Sequence, residues 1–243
     1  MNQNPLLGLH YLSEGFKLIF KKGLRRFVVI PLIINTLLFT GMFFLSKYYF
    51  KVFDHWIAAH LPHWLIWLAS ILWVIFFIGF ILLFIYSFTT LANLVSAPFN
   101  SFLAEKVEFY LTGKKIPERS LLEITKDVPR VIGRQLAIIG YYLPRAVLLL
   151  ILFFIPIIQL VAGILWFVFN AWVMSLQYLD YPTDNHQIPL SDVKAWMGRN
   201  RLLALGFGTG VLLISMIPIL NFFIVPAAVA GATQCWIKEN ILT

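Results

Sequence analysis

Four long runs of this chain contain no Asp, Glu, Lys or Arg: residues 27–46, 55–104, 146–179 and 202–237. A helix needs about 20 predominantly apolar residues to cross a bilayer, and each run is long enough. Backbone inside hydrocarbon must satisfy its own polar groups, which a helix does within one segment. Composition agrees with a membrane environment. Of the 243 residues, 60% are hydrophobic and 12% charged, whereas a soluble domain carries about 25% charged residues. Lipid must therefore cover much of the apolar surface. The expected fold is an all-α integral membrane protein, a single polytopic membrane domain over residues 1–243.

The formal charge of +8 does not point to nucleic acid. The Lys and Arg residues sit beside apolar runs, as membrane-flanking cations do, and form no basic soluble face. Cys235 is the one cysteine, so no internal disulfide can form. The N-terminal stretch is amphipathic and punctuated by charge, without the short apolar core and small-residue cleavage site of a signal peptide. It is expected to stay on the mature protein.

Along the chain, residues 5–22 read as an amphipathic helix. Leu9, Leu12, Phe16, Ile19 and Phe20 recur at helical spacing, with His10, Glu14, Lys17 and Lys21 opposite. Such a helix is expected to lie in the membrane interface. Gly23 breaks it, and a first spanning helix covers 24–49, with Pro31 as an expected kink. A short loop over 50–63 carries Lys51, Asp54 and three histidines. Trp56, Trp64, Trp67 and Trp73 form an aromatic belt where a second spanning helix, 64–95, enters. At 1.5 Å per residue that helix is roughly 48 Å long, beyond the ~30 Å hydrocarbon core. It should tilt or protrude. Residues 96–134 form an aqueous-side helical region, with seven basic and five acidic residues between Glu105 and Arg134.

A weak internal repeat follows. Asp127-Val128 and Gly133-Arg134-Gln135 reappear as Asp192-Val193 and Gly198-Arg199-Asn200, and Ile155-Pro156 through Gln159 corresponds to Ile217-Pro218 through Asn221. Each copy is an apolar run broken near its middle by proline. If the basic clusters all lie on one side, each broken run must enter and return, giving membrane hairpins over 135–179 and 202–238. The second leaves about 17 residues per arm, or ~25 Å, short of a full crossing. Arms that dip into the bilayer and arms that span it both remain open.

No enzyme motif is present: there is no phosphate loop, nucleophile elbow or metal-ligand spacing. No cofactor or metal is expected. His55, His60 and His63 are interrupted by Pro62 and read as interfacial side chains. The sharper feature is Lys21-Lys22-Gly23-Leu24-Arg25-Arg26. Free backbone N–H groups at a helix start attract anions, and two guanidinium groups add charge-assisted hydrogen bonds to a tetrahedral oxyanion. The same residues also suit simple membrane anchoring. Arg145, beside a long apolar stretch, can greet an anion or snorkel to headgroups. Arg145, together with Gln159 and Asn221 at the two helix breaks, is a candidate for a translocation path. Asn35, Asn93, Asn100 and Asn170 add neutral polarity, and side-chain amides also bond between helices. The charge-free runs offer no carboxylate proton relay, which favours channel-like flux over coupled pumping.

Four stretches carry a likeness to a known family: Gly23-Leu24-Arg25-Arg26; Ser96-Ala97-Pro98-Phe99-Asn100; Glu105-Lys106-Val107-Glu108; and Asn170-Ala171-Trp172 through Tyr178-Leu179-Asp180-Tyr181-Pro182. The chain resembles the CysZ sulfate permeases, bacterial inner-membrane proteins that supply sulfate for cysteine biosynthesis. The resemblance implies two long spanning helices plus two helix hairpins that penetrate only partly. It implies a homo-oligomer in lipid with sulfate as substrate. It also implies a sulfate site at Gly23, Leu24, Arg25 and Arg26, all four of which match. A non-transporting scaffold acting with another protein is the competing reading, and a lipid-modifying enzyme lacks a catalytic constellation.

Overall fold

The computed structural model describes residues 3–114 and 121–239, and all regular structure among them is helical. Eight α-helices follow in order: α1 (Pro5–Ile19), α2 (Arg26–His60), α3 (Ile66–Thr112), α4 (Leu121–Leu152), α5 (Gln159–Asn185), α6 (Leu190–Arg199), α7 (Arg201–Ser215) and α8 (Pro218–Lys238). Segments within α2, α3, α4, α5 and α8 are long and apolar enough to cross a membrane; α7 is apolar but shorter. Part of the expected aqueous-side region, residues 115–120, lies outside the described residues, as do 240–243 and the side chains of Asn93 and Asp127.

The chain divides into two compact units, Val29–Phe99 and the remainder. Most of α2 and the apolar part of α3 make up the Val29–Phe99 unit. Phe76, Phe80, Phe84 and Phe88 recur every four residues and so share one face of α3. Phe53 stacks on Phe76 at 3.8 Å, Phe50 meets Phe80 at 4.9 Å, and Phe39 meets Phe84 and Phe88 edge-on at 5.7 and 5.6 Å. Early α2 residues thus meet late α3 residues, and the two helices run antiparallel along an aromatic seam. Leu37, Phe44, Val74, Leu82 and Tyr86 are exposed on this unit, as expected of a surface solvated by lipid.

The structure departs from the sequence reading in two places, and the seam explains the first. The loop expected over 50–63 is helical as far as His60, because Phe50 and Phe53 belong to the seam. The helix expected to end near 95 continues through Pro98 to Thr112. At 35 and 47 residues, α2 and α3 are roughly 52 and 70 Å long, each well beyond a ~30 Å hydrocarbon layer.

The other unit is organised around α1, which packs against α7 and α8. Asn4 caps α1 by accepting the Leu6 N–H at 3.0 Å, and Pro5 occupies the first helical turn, where no N–H is needed. The helix ends at Ile19, short of residue 22, and its buried face differs from the one expected. Gly8, Tyr11, Leu12, Gly15, Leu18 and Ile19 are buried, while Leu9 and Phe20 are exposed. Glycines account for the rotation. A Cβ on Gly15 would lie 2.7 Å from the Gly231 backbone nitrogen, and one on Gly231 would lie 2.5 Å from the Tyr11 carbonyl oxygen. Close backbone approach of this kind is how membrane helices gain contact without a hydrophobic driving force. Protein therefore covers a glycine-containing stripe of α1, while Leu9 and Phe20 of the expected apolar face stay exposed.

The two expected hairpins correspond to α4–α5, broken over residues 153–158 around Pro156, and α7–α8, broken just before Pro218. Helices pack within each pair, and α5 also packs on α7 and α8. Gly208 and Ser175 bring α7 and α5 together, with the Ser175 hydroxyl donating to the Ala204 carbonyl. The repeat is not structurally uniform. Its first copy lies within the continuous α4, whereas the second is divided at Asn200 between α6 and α7.

Candidate functional site

The stretch 20–25 is a tight turn between α1 and α2. Gly23 has φ +95°, and a Cβ there would meet nothing within 4 Å. Glycine is thus required by backbone conformation and not by crowding. Leu24 is only 3% exposed and anchors the turn, while Gly23, Arg25 and Arg26 face outward. The Lys21 carbonyl accepts from Leu24 and Arg25 at 3.1 and 3.3 Å, and Phe27 and Val28 donate to Leu24 and Arg25 at 3.0 and 3.1 Å. Among the described residues, the N–H groups of Lys22, Gly23 and Arg26 bond no backbone carbonyl. The helix-start donors expected from sequence are thus open only in part: Phe27 and Val28 bond back to Leu24 and Arg25, and the open donors are those of Lys22 and Gly23 in the turn and of Arg26 at the helix start.

Arg26 places its guanidinium carbon 5.0 Å from the Phe27 ring centroid, a cation–π contact that steadies the side chain. Among the described residues no carboxylate lies within ion-pair distance of Arg25 or Arg26. The turn therefore gathers open backbone donors beside two guanidinium groups, chemistry suited to an oxyanion.

The other sequence candidates are dispersed. Gln159 opens α5, and Asn221 lies in the first turn of α8 with its backbone N–H bonded to Ile217 at 2.9 Å; both side chains are exposed. Arg145 donates to the Tyr141 carbonyl at 2.8 Å and lies 4.0 Å over that ring. No described contact joins these three residues to one another or to 23–26.

A polar cluster that sequence reasoning missed joins α3, α4, α5 and α8. Arg134 donates through Nε to Asp180 at 2.7 Å and through Nη2 to Thr183 at 3.4 Å, and a further nitrogen donates to the Ile188 carbonyl. Asp184 is 3.5 Å from the same Nε. His186 Nε2 lies 2.9 Å from Glu108, and its ring packs 4.3 Å from Trp236. Asn100 donates to Tyr181 at 3.2 Å, and Asn185 to the Ser101 carbonyl at 3.1 Å. Among the described residues, the Trp236 indole N–H and Gln234 Oε1 are buried without a hydrogen-bond partner. One signal pointed here. Asp180 and Asp184 stand four apart on one helix, and like charges at that spacing repel unless a cation from elsewhere meets them.

Comparison with known proteins gives the family of the chain. The family described as Sulfate transporter CysZ/Etoposide-induced protein 2.4 matches residues 11–226. The chain is 46% identical over 237 residues to the Sulfate transporter CysZ of Salmonella typhimurium, covering 96% of this chain and 92% of that protein. It is 44% identical over 236 residues to the Sulfate transporter CysZ of Pectobacterium atrosepticum, covering 96% and 85%. A match of this extent makes the chain a member of the Sulfate transporter CysZ/Etoposide-induced protein 2.4 family.

Proposed function

We propose that this protein is a sulfate permease of the bacterial inner membrane, supplying sulfate for cysteine synthesis, with recognition at Gly23, Leu24, Arg25 and Arg26. The observation that carries the reading is the open turn: among the described residues, its backbone donors at Lys22, Gly23 and Arg26 bond no backbone carbonyl and its two guanidinium groups have no carboxylate neighbour, while a buried Leu24 fixes their position. Similarity to proteins named as sulfate transporters supplies the anion. Sulfate carries two charges and four acceptor oxygens, so it matches forked guanidinium and backbone donors better than a monovalent halide does.

Onward passage is channel-like in this reading, because the four apolar runs hold no carboxylate to relay protons. Gln159 and Asn221 stand at the two helix breaks, where a path finds polar groups. The buried indole N–H of Trp236 is a further donor open to a passing oxyanion. The helix α7, at 15 residues or roughly 22 Å, is too short to cross and is read as dipping into the bilayer. Several copies of the chain assemble in this account. The test is equilibrium binding of radiolabelled sulfate to purified protein. Binding should be lost in Arg25→Ala/Arg26→Ala, and unchanged binding by that variant would remove the turn from the account.

A further inference from the structure

An open groove of about 460 Å³ lies between α4, α5 and α7 and is lined at one end by Tyr141, Arg145 and Arg201. Lys194 approaches the Tyr141 ring to 5.3 Å, on the ring that Arg145 also covers. Two cations thus flank the Tyr141 ring, and a third, Arg201, lines the same groove with its Nε donating to the Gly198 carbonyl at 2.9 Å. Among the described residues no carboxylate lies within ion-pair distance of any of them. Like charges gathered without a counter-ion repel, so the arrangement calls for an anion from outside the chain.

The rest of the groove states what kind of anion. Its walls are apolar, including Leu148, Leu165, Val168 and Leu205, and Leu148, Leu165 and Val168 are exposed. A small inorganic oxyanion gains nothing from such walls, whereas an acyl chain covers them. Depth fits as well. Arg201 opens α7 directly after the polar helix α6, which puts it where a polar segment meets an apolar one. Arg145 shares its groove and is thereby held at the same level.

We propose that this groove binds an anionic phospholipid, with the phosphate held by Arg145 and Arg201 and an acyl chain laid along the apolar walls of α4, α5 and α7. Arg145, a candidate for the sulfate path on sequence grounds, becomes a lipid ligand. The proposal stands independently of sulfate recognition at Arg25 and Arg26.

The test uses full-length purified protein in mild detergent, incubated with palmitoyl-oleoyl phosphatidylglycerol or palmitoyl-oleoyl phosphatidylcholine, with bound lipid counted by native mass spectrometry. A basic residue near a lipid surface contributes about a fivefold gain toward anionic lipid, so two give the wild type roughly a twenty-five-fold preference for phosphatidylglycerol. Arg145→Gln/Arg201→Gln should reduce it to about threefold or less. Arg145→Lys/Arg201→Lys keeps the charges and should retain most of it, which guards against a misfolded neutral variant. Leu165→Trp fills the groove and should lower retention of both lipids. No preference in the wild type, or an unchanged preference in the glutamine variant, would overturn the proposal. So would displacement of the lipid by millimolar sulfate, which would return the groove to the oxyanion route.

Discussion

Replacing Gly15 by alanine tests whether α1 is seated against α8. The added carbon would lie 2.7 Å from the Gly231 nitrogen and 3.0 Å from its Cα, with the Ala227 carbonyl closer still. Carbon atoms in contact prefer about 3.5–4.0 Å. All three neighbours are backbone atoms, so no rotamer change relieves the overlap, and the helices must part by nearly 1 Å. A gap of that size forfeits roughly a quarter to a half of each dispersion contact it opens. Overpacking costs about 1–3 kcal/mol, and rigid neighbours put this site at the upper end. The gain in helix propensity returns about 1 kcal/mol. A net loss of about 2 kcal/mol should lower the melting temperature by roughly 4–8 °C for a chain of this size. Gly140 in α4 supplies the internal control, since a Cβ there meets nothing within 4 Å; its alanine variant should melt no lower than wild type. Thermal unfolding of the two purified variants reads the difference. Equal melting of Gly15→Ala and wild type would show that α1 does not occupy this groove.

Other perturbations follow from the same geometry. Gly23→Ala forces an L side chain into positive φ at a cost of about 1–2 kcal/mol, so sulfate binding should weaken by about tenfold, and Gly23→Asn, which tolerates that region better, should recover part of it. Arg134→Ala removes bonds to Asp180, Thr183 and the Ile188 carbonyl and should cost about 3 kcal/mol in thermal unfolding, with Arg134→Lys intermediate because an ammonium cannot reproduce the fork. Its repeat counterpart Arg199 is exposed, and Arg199→Ala should stay within about 0.5 kcal/mol. Burial, and then the 2.6 Å bond to Glu239, raise the Tyr11 phenol above its ordinary range. A raised folded pKa gives stability that is full below the unfolded value of about 10 and is lost as pH rises beyond it. Wild type should therefore melt progressively earlier above pH 10, and Tyr11→Phe should lose this phenol-linked part of the alkaline slope while costing about 1 kcal/mol at neutral pH.

The sequence made some features plain because their cause is local. Charge-free runs announce apolar helices, prolines mark where the hairpins break, and Gly23, ahead of Leu24 and two arginines, marks the turn between α1 and α2. Features set by distant contacts stayed hidden. Residues 50–60 looked like a loop because Lys51 and Asp54 interrupt the apolar pattern, yet Phe50 and Phe53 hold them helical against α3. Hydropathy gave α1 the wrong buried face because it gives little weight to glycine, whose value here is its missing side chain. The Arg134 cluster joins residues 46 to 54 positions apart, so no window along the chain could bring it together. The repeat was visible as spelling, but Arg134 and Arg199 occupy unlike environments.

Under the proposed function, this one polypeptide moves sulfate and recognises it at the turn between α1 and α2. Radiolabelled sulfate uptake into liposomes containing only the purified chain tests both parts, with Arg25→Ala/Arg26→Ala measured beside it at equal reconstitution. The account predicts uptake by wild type that rises with inward sulfate gradient and falls at least tenfold in the variant. Absence of uptake by folded, reconstituted wild type, or equal uptake by the variant, would contradict it.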